Sequence, residues 1–480
     1  MTKPSVFFHL IIFLGVFLLI SFSAVHADFQ PQGSVPGFYC YRNSSSVVQS
    51  LQVLKNEYPG LVHLSAIGNS WEGQPIYVLK LTNQSINSNK PRLILLSGLR
   101  ANAFAPVELS LRFAENLLAE YGDNTDSTWL LNYFELHLIV LANPDGRAQA
   151  EQQAMSGADI TWQNNTHNAC SSQNIGVRLN HNFSFNWRAS DVGACDPAYA
   201  GQSAGSEPET QAIQTYLEDL ASKPEPIMLL NLDSYQNEIL SPYLSAPTAD
   251  NPHLTDLNTL AEKIGYNTLS APVRQGDTSH QPSYGTLVDY AYGTLGIPSL
   301  VFSMGDSLAG GYTSRCWYFE GDEFYKDHLI KRNIPALIRA LKVSTNPYHQ
   351  SYGPEIEFEN VNQNNNSVII EGSANDYTSW YDGADVFSQV KSVYYSIDLP
   401  PWHSQAVLYS VSNLSQDNNS NYISSFNIEI DYSQLSIGHH QLFFQAWDTE
   451  ADGNPSNPGL VSTIDFFVPY LLFIPLVNMN

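Results

Sequence analysis

Basic residues are scarce in this chain: 21 lysines and arginines stand against 46 aspartates and glutamates, a formal net charge of −25. That balance argues against nucleic acid or an anionic membrane as a partner, since both demand basic surface. Cysteine is nearly absent too, with four in 480 residues, and their spacing matches no paired-cysteine zinc cluster. No H-E-x-x-H occurs, which excludes a zinc site of that helical type. Beyond the first 27 residues no apolar run is long enough to cross a bilayer, so no transmembrane anchor is expected. Charged residues make up only 14% of the chain against 43% hydrophobic, a composition that excludes disorder.

At about 150 residues per domain, the length suggests two or three folded units. The opening, with Lys3, an apolar run from Val6 to Ile20 and small residues ending Val25-His26-Ala27, reads as a secretory signal peptide over residues 1–27. Export makes the even number of cysteines, Cys40, Cys170, Cys195 and Cys316, a sign of two disulfides. The expected localisation is extracellular.

Residues 28–345 alternate apolar runs with amphipathic helices, the pattern of an α/β unit with helices on both faces of a sheet. Strands are predicted at Arg92–Ser97, Glu135–Leu141, Ile227–Leu232 and Ser299–Phe302. Pro106 is expected to open a helix that places Val107, Leu111, Ala114 and Leu118 on one face. From 346 to 480 the pattern turns to short alternating strands separated by Asn, Ser, Gly and Asp clusters. This predicts a β-sandwich, similar to the immunoglobulin-like modules of secreted bacterial enzymes, with a short apolar final strand and tail over Phe467–Val477. Within it Asp448-Thr449-Glu450-Ala451-Asp452-Gly453-Asn454 begins like a calcium loop, but Gly459 stands at the twelfth place where a bidentate Glu is needed. The run therefore reads as a turn between strands.

One series of motifs carries chemistry. Asn143-Pro144-Asp145-Gly146 is followed by Gly176-Val177-Arg178-Leu179-Asn180-His181-Asn182-Phe183 and by Ser206-Glu207-Pro208-Glu209-Thr210. Asp233-Ser234-Tyr235 and Asp289-Tyr290-Ala291-Tyr292 then precede Ser303-Met304-Gly305. Each has a plain structural use: Asn-Pro-Asp-Gly makes a turn, and Ser206 with Glu209 reads as a capping box. Taken in order, the series resembles the zinc metallocarboxypeptidases of the carboxypeptidase A and B type, with N-P-D-G, G-V-D-L-N-R-N-F, S-E-P-E-T, H-S-Y, D-W-x-Y and E-L-G. The resemblance implies a mixed, eight-stranded-type sheet.

Hydrolysis by such an enzyme needs three protein ligands on zinc, an open position for water and a carboxylate base. The resemblance places the ligands at Arg100, Ala103 and Asp233, and the base at Ser303. Arg178 stands where an Asp would orient a ligand His. Gln163 replaces the Arg that stabilises the oxyanion, and the Tyr that closes over substrate falls on Gln281 or, with a short gap, Tyr284. No catalytic or metal-binding residue of the family is therefore intact, and no cofactor is expected. A guanidinium at position 100 would oppose a cation about 4 Å away by roughly 4 kcal/mol at an effective dielectric of 20.

Asn180 and His181 match the pair that grips the terminal carboxylate of a peptide, so peptides or protein C-termini are the expected partners, with His181 binding as a cation below about pH 6.5. Arg100 and Asp233 are expected to pair where zinc would stand. The resemblance also implies a Cys170–Cys195 disulfide, leaving Cys40 to Cys316. Gly201-Gln202-Ser203-Ala204-Gly205 matches G-x-S-x-G, but lacks the preceding strand that a nucleophile elbow requires. The reading is an inactive, secreted carboxypeptidase-like protein that binds peptide C-termini. Its rivals are an active carboxypeptidase with a rearranged metal site and a structural or adhesive surface protein.

Overall fold

The computed structural model describes residues 33–469, with breaks at 36–37, 190–191, 235–236, 247–250, 267, 269–270, 274–281, 305–330, 377–387, 418–419 and 450–456. The expected signal peptide, Tyr235, Gln281, Gly305, Cys316 and the C-terminal tail lie outside the described residues.

A short hairpin, β1 (Ser34–Val35) and β2 (Phe38–Arg42), precedes helix α1 (Ser44–Glu57). The sheet begins with β3 (Val62–Asn69), β4 (Pro75–Leu81) and β5 (Arg92–Leu96). After helices α2 (Phe104–Ala119) and α3 (Thr125–Tyr133) come β6 (Glu135–Ile139) and α4 (Pro144–Met155). Helix α5 (Pro208–Ala221) leads to β7 (Ile227–Ser234) and β8 (Glu238–Leu240); α6 (Leu254–Gly265), β9 (Ala271–Val273), α7 (Leu287–Leu295) and β10 (Ser299–Met304) follow. The eight strands lie in the order β3-β4-β6-β5-β7-β10-β8-β9. β6, β5, β7 and β10 run parallel to one another, while β4 pairs antiparallel with β6 and β8 with β10.

These central parallel strands are apolar along their length because both faces are covered. Leu93, Leu95, Leu230 and Phe302 belong to one core, and Ile94, Leu96, Leu229 and Val301 to the other. Helix α2 starts at Phe104, two residues before the predicted Pro106, and buries Val107, Leu111, Ala114 and Leu118 as expected. The mixed sheet with helices on both faces agrees with the sequence reading.

The helix Arg332–Val343 ends the α/β unit. Beyond it, two antiparallel four-stranded sheets form the predicted β-sandwich. One is ordered β11 (Glu355–Gln363), β12 (Ser367–Asn375), β16 (Ser420–Asp431), β15 (Leu414–Asp417). The other is ordered β14 (Tyr409–Ser410), β13 (Gln389–Ile397), β17 (Gly438–Thr449), β18 (Ser462–Val468). The last described strand thus begins five residues before Phe467, where the final strand was expected.

The sandwich shares a core with the α/β unit. Trp129 is fully buried, with ring centroids 5.6 Å from Phe443 and 5.8 Å from Trp402. Asp126 accepts hydrogen bonds from Lys342 Nζ at 2.8 Å and from the Thr463 hydroxyl at 2.9 Å. The Cys170–Cys195 disulfide is present; the expected Cys40–Cys316 pair involves a residue outside the described ones. No helix among the described residues is long and apolar enough to cross a membrane.

Candidate functional site

The C-terminal ends of β5, β7 and β10 converge on one place, as parallel strands with both faces covered direct their loops to one edge. The turn after β5 passes through Gly98 at φ +72°, where a Cβ would sit 3.1 Å from Val107 and 3.2 Å from Leu141. Glycine is needed there both for the left-handed backbone and for the close approach. This turn carries Arg100 toward β7, where Arg100 Nη2 donates to Asp233 Oδ2 at 3.0 Å. Asp233 Oδ1 accepts the Ser234 N–H at 2.9 Å. The side chains are 30% and 13% exposed, so the ion pair anticipated from the sequence forms in a partly buried setting.

Ser303 lies beside Asp233 in the parallel ladder and is buried. Ala103 is buried at the start of α2 and supplies no donor atom. The four positions that the resemblance assigns to ligands and base thus hold a guanidinium, a methyl group, a carboxylate and a hydroxyl. This set does not fit a zinc ion, which takes thiolate, imidazole and carboxylate ligands. Among the described residues no group of three His, Cys, Asp or Glu is placed to hold a metal.

Next to the ion pair lies a cavity of about 140 Å³ lined by Leu99, Arg100, Gln163, Arg178, Leu179, Asn180 and His181. Arg178 Nη2 donates to Gln163 Oε1 at 3.2 Å, and Asn180 Oδ1 accepts the Leu287 N–H at 3.2 Å. The motif reading brings Gln163, Asn180 and His181 to one cavity correctly. It misses Arg178 as a wall of that cavity, because in the sequence Arg178 registers only as the loss of an acidic residue.

His181 corrects the sequence reading. Burial, then the charges of Arg178 and Arg100, push its imidazole down to about 4. At neutral pH it is an uncharged ring and not the cation expected to replace a family arginine. A Cβ at Gly285 would collide with the His181 carbonyl oxygen, so this backbone is held closely against the following loop. Tyr284, in that loop, lies under the Arg188 guanidinium, 3.9 Å from its ring centroid.

A second correction concerns the Ser206–Glu209 capping box. Helix α5 has Glu207 at its N-cap and no side-chain cap bond. Instead Ser206 Oγ donates to Glu207 Oε1 at 2.7 Å, and Glu209 Oε1 accepts the Trp71 N–H at 2.9 Å. Burial of both glutamates beside Asn165, which donates to each, draws them into tertiary bonds. Asn143 also goes beyond a turn, since it caps α4 through the Gly146 N–H at 3.0 Å. Gly201–Gly205 lies in the loop before α5 with no strand leading into it, as the sequence analysis anticipated.

A sequence profile described as Zinc carboxypeptidase matches residues 47–314. Carboxypeptidase A1 of Bos taurus is 27% identical over 280 residues, 58% of this chain and 61% of that protein. A protein named Inactive metallocarboxypeptidase ECM14 from Saccharomyces cerevisiae is 25% identical over 205 residues, 42% of this chain and 46% of its own length. The chain therefore spans less than two thirds of these relatives. The crystal structure of thrombin activatable fibrinolysis inhibitor superposes with a TM-score of 0.55 at 22% identity, covering 64% of this chain and 75% of that one, a likeness of fold.

Proposed function

This chain belongs to the zinc carboxypeptidase family, and we propose that it is a secreted member that binds carboxylates in its groove without hydrolysing peptide bonds. The observation that carries the reading is the Arg100–Asp233 ion pair, which occupies two of the three ligand positions with groups that satisfy each other. With Arg100, Ala103 and Asp233 at the ligand positions and a hydroxyl at Ser303, the described residues do not supply the metal-activated water and carboxylate base by which the family hydrolyses amides. Export rests on the N-terminal sequence and agrees with the Cys170–Cys195 disulfide. The division at residues 345 and 346 falls between the helix Arg332–Val343 and β11. We read the sandwich as immunoglobulin-like from its paired antiparallel sheets.

The ligand class follows from the cavity walls. Arg100 donates to Asp233 and Arg178 to the Gln163 amide, and both guanidinium groups line the same space. A guanidinium fork binds a carboxylate through two hydrogen bonds, so the α-carboxylate of a peptide is held by Arg178 with help from Asn180. An active enzyme with a rearranged metal site would need three clustered ligands, and no observation among the described residues favours it.

Fluorescence polarisation with labelled peptides tests the reading. A peptide with a free C-terminus should bind, its amidated counterpart at least about tenfold more weakly, and Arg178→Gln should weaken the first to a similar degree. With His181 neutral above about pH 4, affinity should stay level from about pH 6 to 8. Equal binding of the free and amidated peptides would overturn the proposal.

A further inference from the structure

The sandwich buries two aspartates that no part of the groove uses. Asp376 directly follows β12 and is 6% exposed, while Asp448 near the end of β17 is 2% exposed. They come from opposite sheets at the same end of the sandwich. Asp376 Oδ2 accepts the Ser388 N–H at 2.7 Å, and Asp448 Oδ1 accepts the Asn457 N–H at 2.6 Å. Asp376 Oδ1 is buried without a hydrogen-bond partner. Orphaned oxygens of this kind are rare in folded proteins and call for an explanation such as a bound ion.

An independent feature points the same way. A cavity of about 440 Å³ opens at this end, lined by Gln389, Val390, Lys391, Leu414, Gln416 and Ser424. Val390 is the ladder partner of Asp448, and Ser424 that of Ala374, two residues before Asp376. Ser424 is fully buried, yet its hydroxyl, at the cavity wall, has no hydrogen-bond partner. Among the described residues, the basic groups near the pair are Lys391, exposed at the cavity rim, and the buried Lys263, whose ammonium donates to Gly353 O at 2.9 Å and lies 3.2 Å from Glu355.

We propose that this end of the sandwich binds a divalent cation of the calcium class between Asp376 and Asp448, with Ser424 Oγ, a glutamine side-chain carbonyl and water completing the shell. Oxygen-only ligands suit a hard cation, and an irregular set drawn from two sheets favours calcium over magnesium, which demands tight octahedral geometry. Two carboxylates place the affinity near that of extracellular calcium modules, on the order of 0.1–1 mM. The Asp448 run is not a helical calcium loop, since its twelfth residue is Gly459; the partner carboxylate comes instead from the facing sheet.

The setting of Asp376 agrees with this: burial, and then the Asp448 charge, push its carboxyl up from 3.8 to about 7, against the opposing Ser388 N–H and Lys263.

The test is thermal unfolding of the full chain, stripped of metal by a chelator, at pH 7.5 with and without 5 mM calcium chloride. Calcium should raise the melting temperature by about 1–2 °C, and calorimetric titration should show saturable binding of about one calcium per chain. Asp376→Asn removes a buried charge, so it should be at least as stable as the parent without metal and should not respond to calcium. If calcium leaves the melting temperature of the parent unchanged, Asp376 is only a buried acid and the proposal fails. It fails equally if Asp376→Asn responds like the parent.

Discussion

Two sets of residues in the same motif series have had opposite fates. Asn143, Asn182, Glu207 and Asp289 all match the family pattern and are all fully buried. Three of them bond to main chain: Asn143 to Leu99 O and Asn164 O, Asn182 to Ala200 O and Ser203 O, and Asp289 to the Leu244 and Ser245 N–H groups; the Glu207 carboxylate instead accepts from the Asn165 and Ser206 side chains. Positions 100, 103, 233 and 303 hold residues that differ from the pattern, and Arg100 and Asp233, two of these, bond to each other. The contrast separates what the fold requires from what the chemistry requires. Buried polar groups with several backbone partners cannot change without leaving those partners unsatisfied. Metal ligands carry no such constraint once the metal is gone, provided that their charges are paired again.

That comparison can be sharpened by mutation. Asn182→Ala should have the largest effect, because it removes the amide that donates toward Ala200 O, Ser203 O and Ser206 Oγ and the acceptor for the Glu207 N–H. A loss of about 3 kcal/mol or more is expected in chemical denaturation. Asp233→Ala should cost much less, about 1 kcal/mol, since Arg100 is 30% exposed and can turn its charge to solvent. If the two losses were equal, the division between scaffold and former chemistry would not hold.

Much of this was legible from residue order alone. The central strands Arg92–Leu96 and Ser299–Met304 are continuous apolar runs, and α2 shows its buried face by spacing. The edge strand Val62–Asn69 and its neighbour Pro75–Leu81 do not stand out in the sequence, because they mix exposed and buried positions without strict alternation. The positions that the resemblance assigns to zinc ligands could be picked out from their place in the motifs. The neutrality of His181 could not, because it depends on Arg178 and Arg100 reaching the same cavity from loops far apart in the chain. Neither could the docking of the sandwich: Trp129 reads as an ordinary helix residue until Phe443 and Trp402 are seen against it.

The central claim is that the Arg100–Asp233 pair stands in place of a catalytic zinc. Its most direct test is the metal content of the purified full chain after equilibration with zinc, measured beside an assay for released C-terminal amino acids. The account predicts far less than one zinc per chain and no release above that of a heat-denatured control. One zinc per chain, with amino-acid release that a chelator abolishes, would contradict it.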